Sequence, residues 1–213
     1  MGNSKRIETN DKSSTKNHRW EMFDRSKNIE SIFADWLDEV NKDLKKKDSF
    51  WTPSLITSGQ EVRTVVLRSI QMGPRFPAFI IHTDIRSKKW GELKSNPAMT
   101  LHFYCPKRKW QVRLKGTASL THLETASTIE WKRLSKHSQK IYSLINIPGS
   151  IVDDPQEAYQ FSENVDDGLN NFGVINFLPH LVESLQLSRP DREDFHVRSV
   201  WDIKKNQFQF LAP

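Results

Sequence analysis

The sequence predicts an α+β fold, an antiparallel β-barrel with helices packed outside it. Three patterns carry that prediction. Strand-length apolar runs joined by short polar connections fill the middle and end of the chain, one long amphipathic helix precedes them, and a short helical pattern and a helical pair interrupt them. The glycines are too few and too scattered for a G-x-G-x-x-G turn, and there is no P-loop string. Rossmann and P-loop nucleotide sites are therefore excluded. No internal repeat is found.

Residues 1–18 are rich in Ser, Asn, Thr and Lys and almost devoid of apolar side chains, which predicts a flexible polar tail ahead of a single domain, 19–213. Ile29, Ile32, Phe33, Trp36, Leu37, Val40 and Leu44 recur at three- and four-residue spacing, so the first helix buries this stripe against a sheet. The lysines of 42–47 read as its solvated end. Residues 55–57 form a short strand, and 62–70 a longer one whose Val and Leu content suits burial on both faces. After a turn at 72–77, residues 79–83 return as a strand. Residues 87–93 follow as a short helix stopped by Asn96-Pro97, because proline disfavours helix in the residue before it.

Residues 99–104 and 110–120 make a hairpin across 105–109, and 123–134 and 137–144 are helical. The acidic stretch 148–167 is a loop or a partly ordered insertion. Residues 174–177, 181–187, 197–203 and 207–211 supply the last strands.

At 213 residues the chain is long enough for one buried core. Its single cysteine, Cys105, leaves no internal disulfide and no cysteine-based zinc site, and no metal cluster is visible; this favours a reducing, cytoplasmic setting. No apolar run approaches bilayer length and the first twenty residues lack the apolar middle of a signal peptide, so the expectation is a soluble, unexported protein with no membrane partner. A net charge of +6 and a pI near 9.4 ask for an anionic partner without choosing one.

Chemistry concentrates between Arg63 and Leu120. Arg63 and Arg68 bracket one strand, Thr83 ends the next, and Ser87, Lys88 and Lys89 lie where a helical pattern begins. Hydroxyls, the free N–H groups of a helix start and guanidinium forks are the parts that hold a phosphate monoester. Alone, Arg63 reads equally as a solvent-facing charge or the partner of a carboxylate. In company with Thr83, Ser87 and Lys88 it reads as a phosphate ligand, since a half-buried arginine is costly without an anion.

Four motifs in order, RTVVLR at 63–68, HTDIRSKK at 82–89, NPAMTLHF at 96–103 and QVRLKG at 111–116, resemble the pyridoxamine 5'-phosphate oxidase-like flavoproteins of the FMN-binding split-barrel fold, in their oxidase-related branch. The resemblance runs over roughly residues 20–213, weakly at the end, through Leu185-Gln186-Leu187, His196-x-Arg198, Trp201 and Leu211-Ala212-Pro213. It implies FMN as cofactor and a homodimer with the site between subunits. It implies that Arg63, Lys88 and Lys89 grip the flavin phosphate with Thr83 and Ser87. The backbone of Thr64, Val65, Val66, Leu67 and Arg68 would border the ring with His82, while Gln111 and Arg198 reach the cofactor.

On the substrate side it implies Arg68, Ser138 and His196. There the family pattern is eroded: its lysine is Arg68, its tyrosine and arginine ahead of Ser138 are Glu130 and Leu134 with Arg133 one place off, and the first arginine of R-x-H-x-R is Asp194, with Arg192 close by. A carboxylate at 194 repels a substrate phosphate.

The implied function is an FMN-binding oxidoreductase with an altered substrate pocket and a small anionic substrate; no general acid or base is assigned. The alternative is a non-catalytic flavin- or tetrapyrrole-binding split-barrel module. A nucleic-acid partner is not expected, because Trp36 falls on the apolar stripe and Trp90 and Trp110 within the motifs, not on one basic exposed face.

Overall fold

The computed structural model describes residues 29–59, 61–73, 76–164, 166–187 and 196–212. The polar tail expected at 1–18, together with Arg192, Asp194 and Pro213, lies outside them. The chain divides into two compact units, Met1–Glu39 and Val40–Pro213. The first helix, α1 (Ile29–Lys46), begins in the first unit, where the rings of Phe33 and Trp36 lie 5.1 Å apart. Its last turns belong to the second unit. There Val40 is buried, and the buried Asp43 carboxylate accepts the Phe50 N–H at 2.9 Å and a two-pronged pair from Arg108 at 2.6 and 2.9 Å. The expected stripe thus interleaves with one buried anion, neutralised by the tip of the hairpin.

Nine strands among the described residues form one antiparallel sheet: β1 (Ser54–Thr57), β2 (Val62–Thr64), β3 (Leu67–Gln71), β4 (Ala78–Asp84), β5 (Ala98–Cys105), β6 (Trp110–Thr121), β7 (Phe172–Gln186), β8 (Val197–Asp202) and β9 (Gln207–Leu211). The path runs β2-β1-β5-β6-β7-β4-β3, with β8 on β7 and β9 on β8. Four further helices accompany it: α2 (Lys88–Ser95), α3 (Thr125–Arg133), α4 (Lys136–Ile141) and α5 (Asp167–Asn171). This is the predicted α+β antiparallel arrangement, a curled split-barrel sheet with helices around it.

Two strand predictions need correction. The single strand expected at 62–70 is two, β2 and β3, and neither is buried on both faces. β2 pairs with β1 at one end of the path and β3 with β4 at the other. Val65 and Val66 are all that joins them, so this connection carries the chain from one sheet end to the other. Val65 is buried, with its N–H on the Pro53 carbonyl at 3.0 Å.

Conversely, the strands expected at 174–177 and 181–187 are one, β7. Proline cannot donate to a ladder, which argues against a strand running through Pro179. β7 accommodates it where its partner changes: Phe172–Phe177 pair with β4 and Leu181–Gln186 with β8. The β6 register shifts between Lys115 and Gly116, opposite Pro179. A Cβ at Gly116 would run into the Leu178 carbonyl oxygen and lie 2.6 Å from Pro179 Cα, so glycine is needed for the backbones to approach.

Side chains on the two faces separate cleanly. Leu55, Leu101, Leu114, Phe79, Ile81, Phe103, Trp110 and Phe177 fill the inner face. On the other face Ile80, Phe172 and Val174 form a smaller buried cluster covered by Trp131 and Leu134 at α3 and Tyr142 after α4.

Candidate functional site

The first group of predicted residues meets where α2 begins. Opposite residues of antiparallel neighbours share a face, so Arg63, paired with Leu55, points to the inner side at the sheet edge. Its Nη2 donates to Glu92 Oε2 at 3.1 Å and to Glu61 Oε2 at 2.9 Å. Thr57 Oγ1 donates to the same Glu92 oxygen at 2.5 Å, and that hydroxyl, with Arg63, holds the Glu92 carboxyl below its usual range.

Thr83 and Ser87 are buried, their hydroxyls 3.2 Å apart, and Ser87 Oγ donates to the Asp84 carbonyl at 2.6 Å. Ser87 is the N-cap of α2, yet its side chain makes no capping bond to the helix. Lys89 Nζ lies 3.3 Å from Ser87 Oγ. Burial and then the nearby charge of Arg63 pull the Lys89 amine down from its ordinary pKa, against Asp84. Lys88 is exposed and held to Glu61, whose carboxylate raises its pKa. The loop ahead of α2 is pinned by Arg86, which clasps Asp84 at 2.7 Å and donates to the Leu144 carbonyl at 2.9 Å.

Arg63 and Lys89 sit close enough for one cation to weaken the other, beside two buried hydroxyls and an uncapped helix start. Such a group gains from a bound dianion. The residues present therefore fit a phosphate.

Of the neighbouring backbone, Thr64 and Val66 lie at and after the end of β2, Leu67 is fully buried and Arg68 is exposed at the β3 irregularity. Gln111 and Arg198 are brought into one row on the outer face: Gln111 pairs with Leu185, and Leu185 with Arg198. Arg198 donates to Glu183 Oε1 at 2.6 and 3.0 Å, and Arg113 binds the same oxygen. Burial works to raise the Glu183 pKa, but the two guanidiniums hold it down.

His82 also lies on the outer face, beside Val174 and beneath α3. Ser138 uses its N–H and hydroxyl within the α4 cap, 3.2 and 3.0 Å from Ser135 Oγ. His196 is exposed just before β8.

The sequence reading missed Thr57 and Glu92. Glu92 follows Lys88 by four residues, a spacing that suggests a pair on one helix, whereas the fold turns it to Arg63. Only the β1 to α2 juxtaposition, a long-range feature, reveals it.

A family model described as the FMN-binding domain of pyridoxamine 5'-phosphate oxidase matches residues 30–122. The matched stretch includes the Arg63 to Lys89 group and Gln111 and stops short of Ser138, His196 and Arg198. A pyridoxine/pyridoxamine 5'-phosphate oxidase of Zymomonas mobilis is 32% identical over 95 residues, 45% of this chain, and the match spans about half of that protein, 48%. A protein of the same name from Bacteroides thetaiotaomicron is 26% identical over 185 residues, 82% of each chain.

Among solved structures, a pyridoxamine 5'-phosphate oxidase-related, FMN binding protein from Nostoc punctiforme superposes with a TM-score of 0.67 at 16% identity, covering 85% of this chain and 97% of its own. PhzG from Burkholderia lata, in complex with tetrahydrophenazine-1-carboxylic acid, gives 0.65 at 18%, covering 91% and 96%. At these identities the likeness establishes the split-barrel fold. Among the described residues no helix is long and apolar enough to cross a membrane.

Proposed function

We propose that this protein binds FMN and acts as an oxidoreductase on a small anionic substrate other than the vitamer phosphates. The observation that carries the reading is the convergence of Arg63, Lys89, Thr83 and Ser87 at the start of α2. In this reading Arg63 and Lys89 hold the flavin phosphate with Lys88 at its rim, and the Ser87 and Thr83 hydroxyls orient it. Gln111 answers the ring's pyrimidine edge, where a carboxamide matches donors and acceptors alike. Bound FMN would supply hydride acceptance from a substrate C–H and reoxidation by an electron acceptor.

Arg63 lies on the inner side of the sheet edge, while Gln111 and Arg198 lie on the outer face. That separation favours a site completed by a second copy of the chain, hence a homodimer. Arg68, Ser138 and His196 belong to the substrate side of the same reading, where Glu130 and Leu134 change what the pocket accepts. Mixing the protein with FMN tests it: quenching of flavin fluorescence near one-to-one is expected, and unchanged fluorescence at micromolar protein sinks the proposal. Sedimentation of the FMN-loaded protein should give a dimer; a flavin-bound monomer contradicts the shared site.

A further inference from the structure

The acceptors around Arg63 all fall on one nitrogen of its guanidinium. Nη2 meets Glu61 Oε2 at 2.9 Å, Glu92 Oε2 at 3.1 Å and, more loosely, Thr57 Oγ1 at 3.4 Å. Among the described residues Nε and Nη1 donate to none. Guanidinium donors lie in a rigid planar fork, so a hold on one nitrogen sets the direction of the other two. Those two remain available to an anion.

The two carboxylates differ in how firmly they can hold. The Glu61 side chain is 44% exposed and is shared with Lys88. Glu92, on α2, is 14% exposed, and its Oε2 also accepts the hydroxyl of buried Thr57, on β1, at 2.5 Å. Gly59 leaves room for its other oxygen, since a Cβ there would stand 2.7 Å from Oε1. Glu92 is thus fixed from β1 and α2 together, whereas Glu61 stands two residues from Arg63 at the surface.

A carboxylate beside a phosphate also repels it, and the two effects have opposite signs. A carboxylate already paired with a guanidinium repels weakly, while a guanidinium that swings away forfeits a charge-assisted contact outright. Orientation therefore outweighs repulsion at Glu92.

We propose that Glu92, fixed by Thr57, is the positioning residue of the flavin-phosphate group: by holding Nη2 of Arg63 it directs Nε and Nη1 to the phosphate, and so gives this chain a preference for the phosphorylated flavin. The inference rests on the flavin reading of Arg63. Glu92 acts through the guanidinium and touches no ligand itself. Without it, Arg63 is drawn to Glu61, on the exposed side.

Binding of FMN and of riboflavin, the same ring without the phosphate, to the full chain tests it by flavin fluorescence. The unsubstituted protein is expected to prefer FMN by about tenfold or more. Glu92→Leu, close in size but without an acceptor, should weaken FMN about tenfold and leave riboflavin unchanged. Glu92→Gln keeps an acceptor oxygen and should restore most of the FMN affinity. A carboxylate that only repelled the phosphate would give stronger FMN binding in both variants, and one that only supported the fold would weaken both flavins alike; either result overturns the proposal.

Should Glu92→Leu fail to fold, Thr57→Val releases Glu92 while keeping its charge. It should cost FMN a few-fold, and an unchanged ratio of FMN to riboflavin affinity there overturns the proposal. An unsubstituted protein that binds neither flavin, or shows no preference for FMN, ends the phosphate reading of Arg63 and this inference together. One that prefers FMN while Glu92→Leu keeps that preference ends this inference alone.

Discussion

At the start of α2 two cations and two buried hydroxyls converge, whereas under α3 a single carboxylate, Glu130, is already held by Arg133 and His82. The first region is rich in donors and suits a ligand of acceptor oxygens. The second is closed on itself, its carboxylate already answered by protein partners. The two regions lie on opposite sides of one strand, for Thr83 and His82 are consecutive residues of β4 facing opposite ways. They also differ in their kinship: the motifs of the family hold through the first region, while Glu130 and Leu134 depart from them in the second.

The largest effect is expected from Arg63→Ala. Removing a charge-assisted contact to a desolvated phosphate should weaken FMN by roughly 2–4 kcal/mol, read as fluorescence quenching across a titration. Glu130→Gln, made in the other region, should leave FMN affinity nearly unchanged. An Arg63→Ala effect within error would reduce Arg63 to a structural partner of Glu92 and erase the contrast.

Turnover of pyridoxine or pyridoxamine 5'-phosphate by the FMN-loaded protein probes the second region's departure from the family. Leu134 stands where the resemblance expects an arginine, and it packs on the Ile80, Phe172 and Val174 cluster instead. Each lost charge-assisted contact costs on the order of 1.5–3 kcal/mol, so kcat/KM should fall about 10²-fold or more below that of an oxidase with the full pattern. Steady-state formation of pyridoxal phosphate measures it, and ordinary turnover would show that Arg133 or another cation fills the role.

Stability against pH separates the regions a third way. The folded-state pKa of His82 lies below its unfolded value, so between about pH 6.5 and 4 the unfolded chain binds more protons there. Its contribution is complete above the unfolded pKa and fades as pH falls toward the folded one, by roughly 3 kcal/mol in all. Urea unfolding at successive pH values should show this loss, and His82→Gln should flatten it. A slope unchanged by the substitution would place the acid sensitivity elsewhere.

The gathering of Thr83, Ser87 and Lys89 near Arg63 was legible in the sequence because the hydroxyls and lysines lie within a few residues of one another at a helix start, and Arg63 stands in a motif. The amphipathic α1 pattern and the hairpin of β5 and β6 were legible for the same local reason. What escaped depended on distant pairing. Nothing local in VRTVVLRSI says that the chain leaves one sheet end at Val65, and Pro179 looks like a strand break until Gly116 is found opposite it. Likewise Glu130 reads as a missing tyrosine in one dimension. Only the docking of α3 over β4 makes it the partner of His82.

The smallest expected effect tests how far the α2 region is held in check by its own carboxylates. Glu61 binds both Arg63 and Lys88, and is substantially exposed, as is Lys88. Exposed pairs are worth only about 0.2–1 kcal/mol and are screened by salt. Yet every pairing of Arg63 with Glu61 competes with a phosphate for the same guanidinium. Glu61→Gln should therefore strengthen FMN binding by a few-fold, in line with that range, and the gain should shrink at high ionic strength. Weaker FMN binding in Glu61→Gln would mean that Glu61 orients Arg63 for the phosphate rather than competing with it. The donor-rich region would then owe its geometry to that carboxylate.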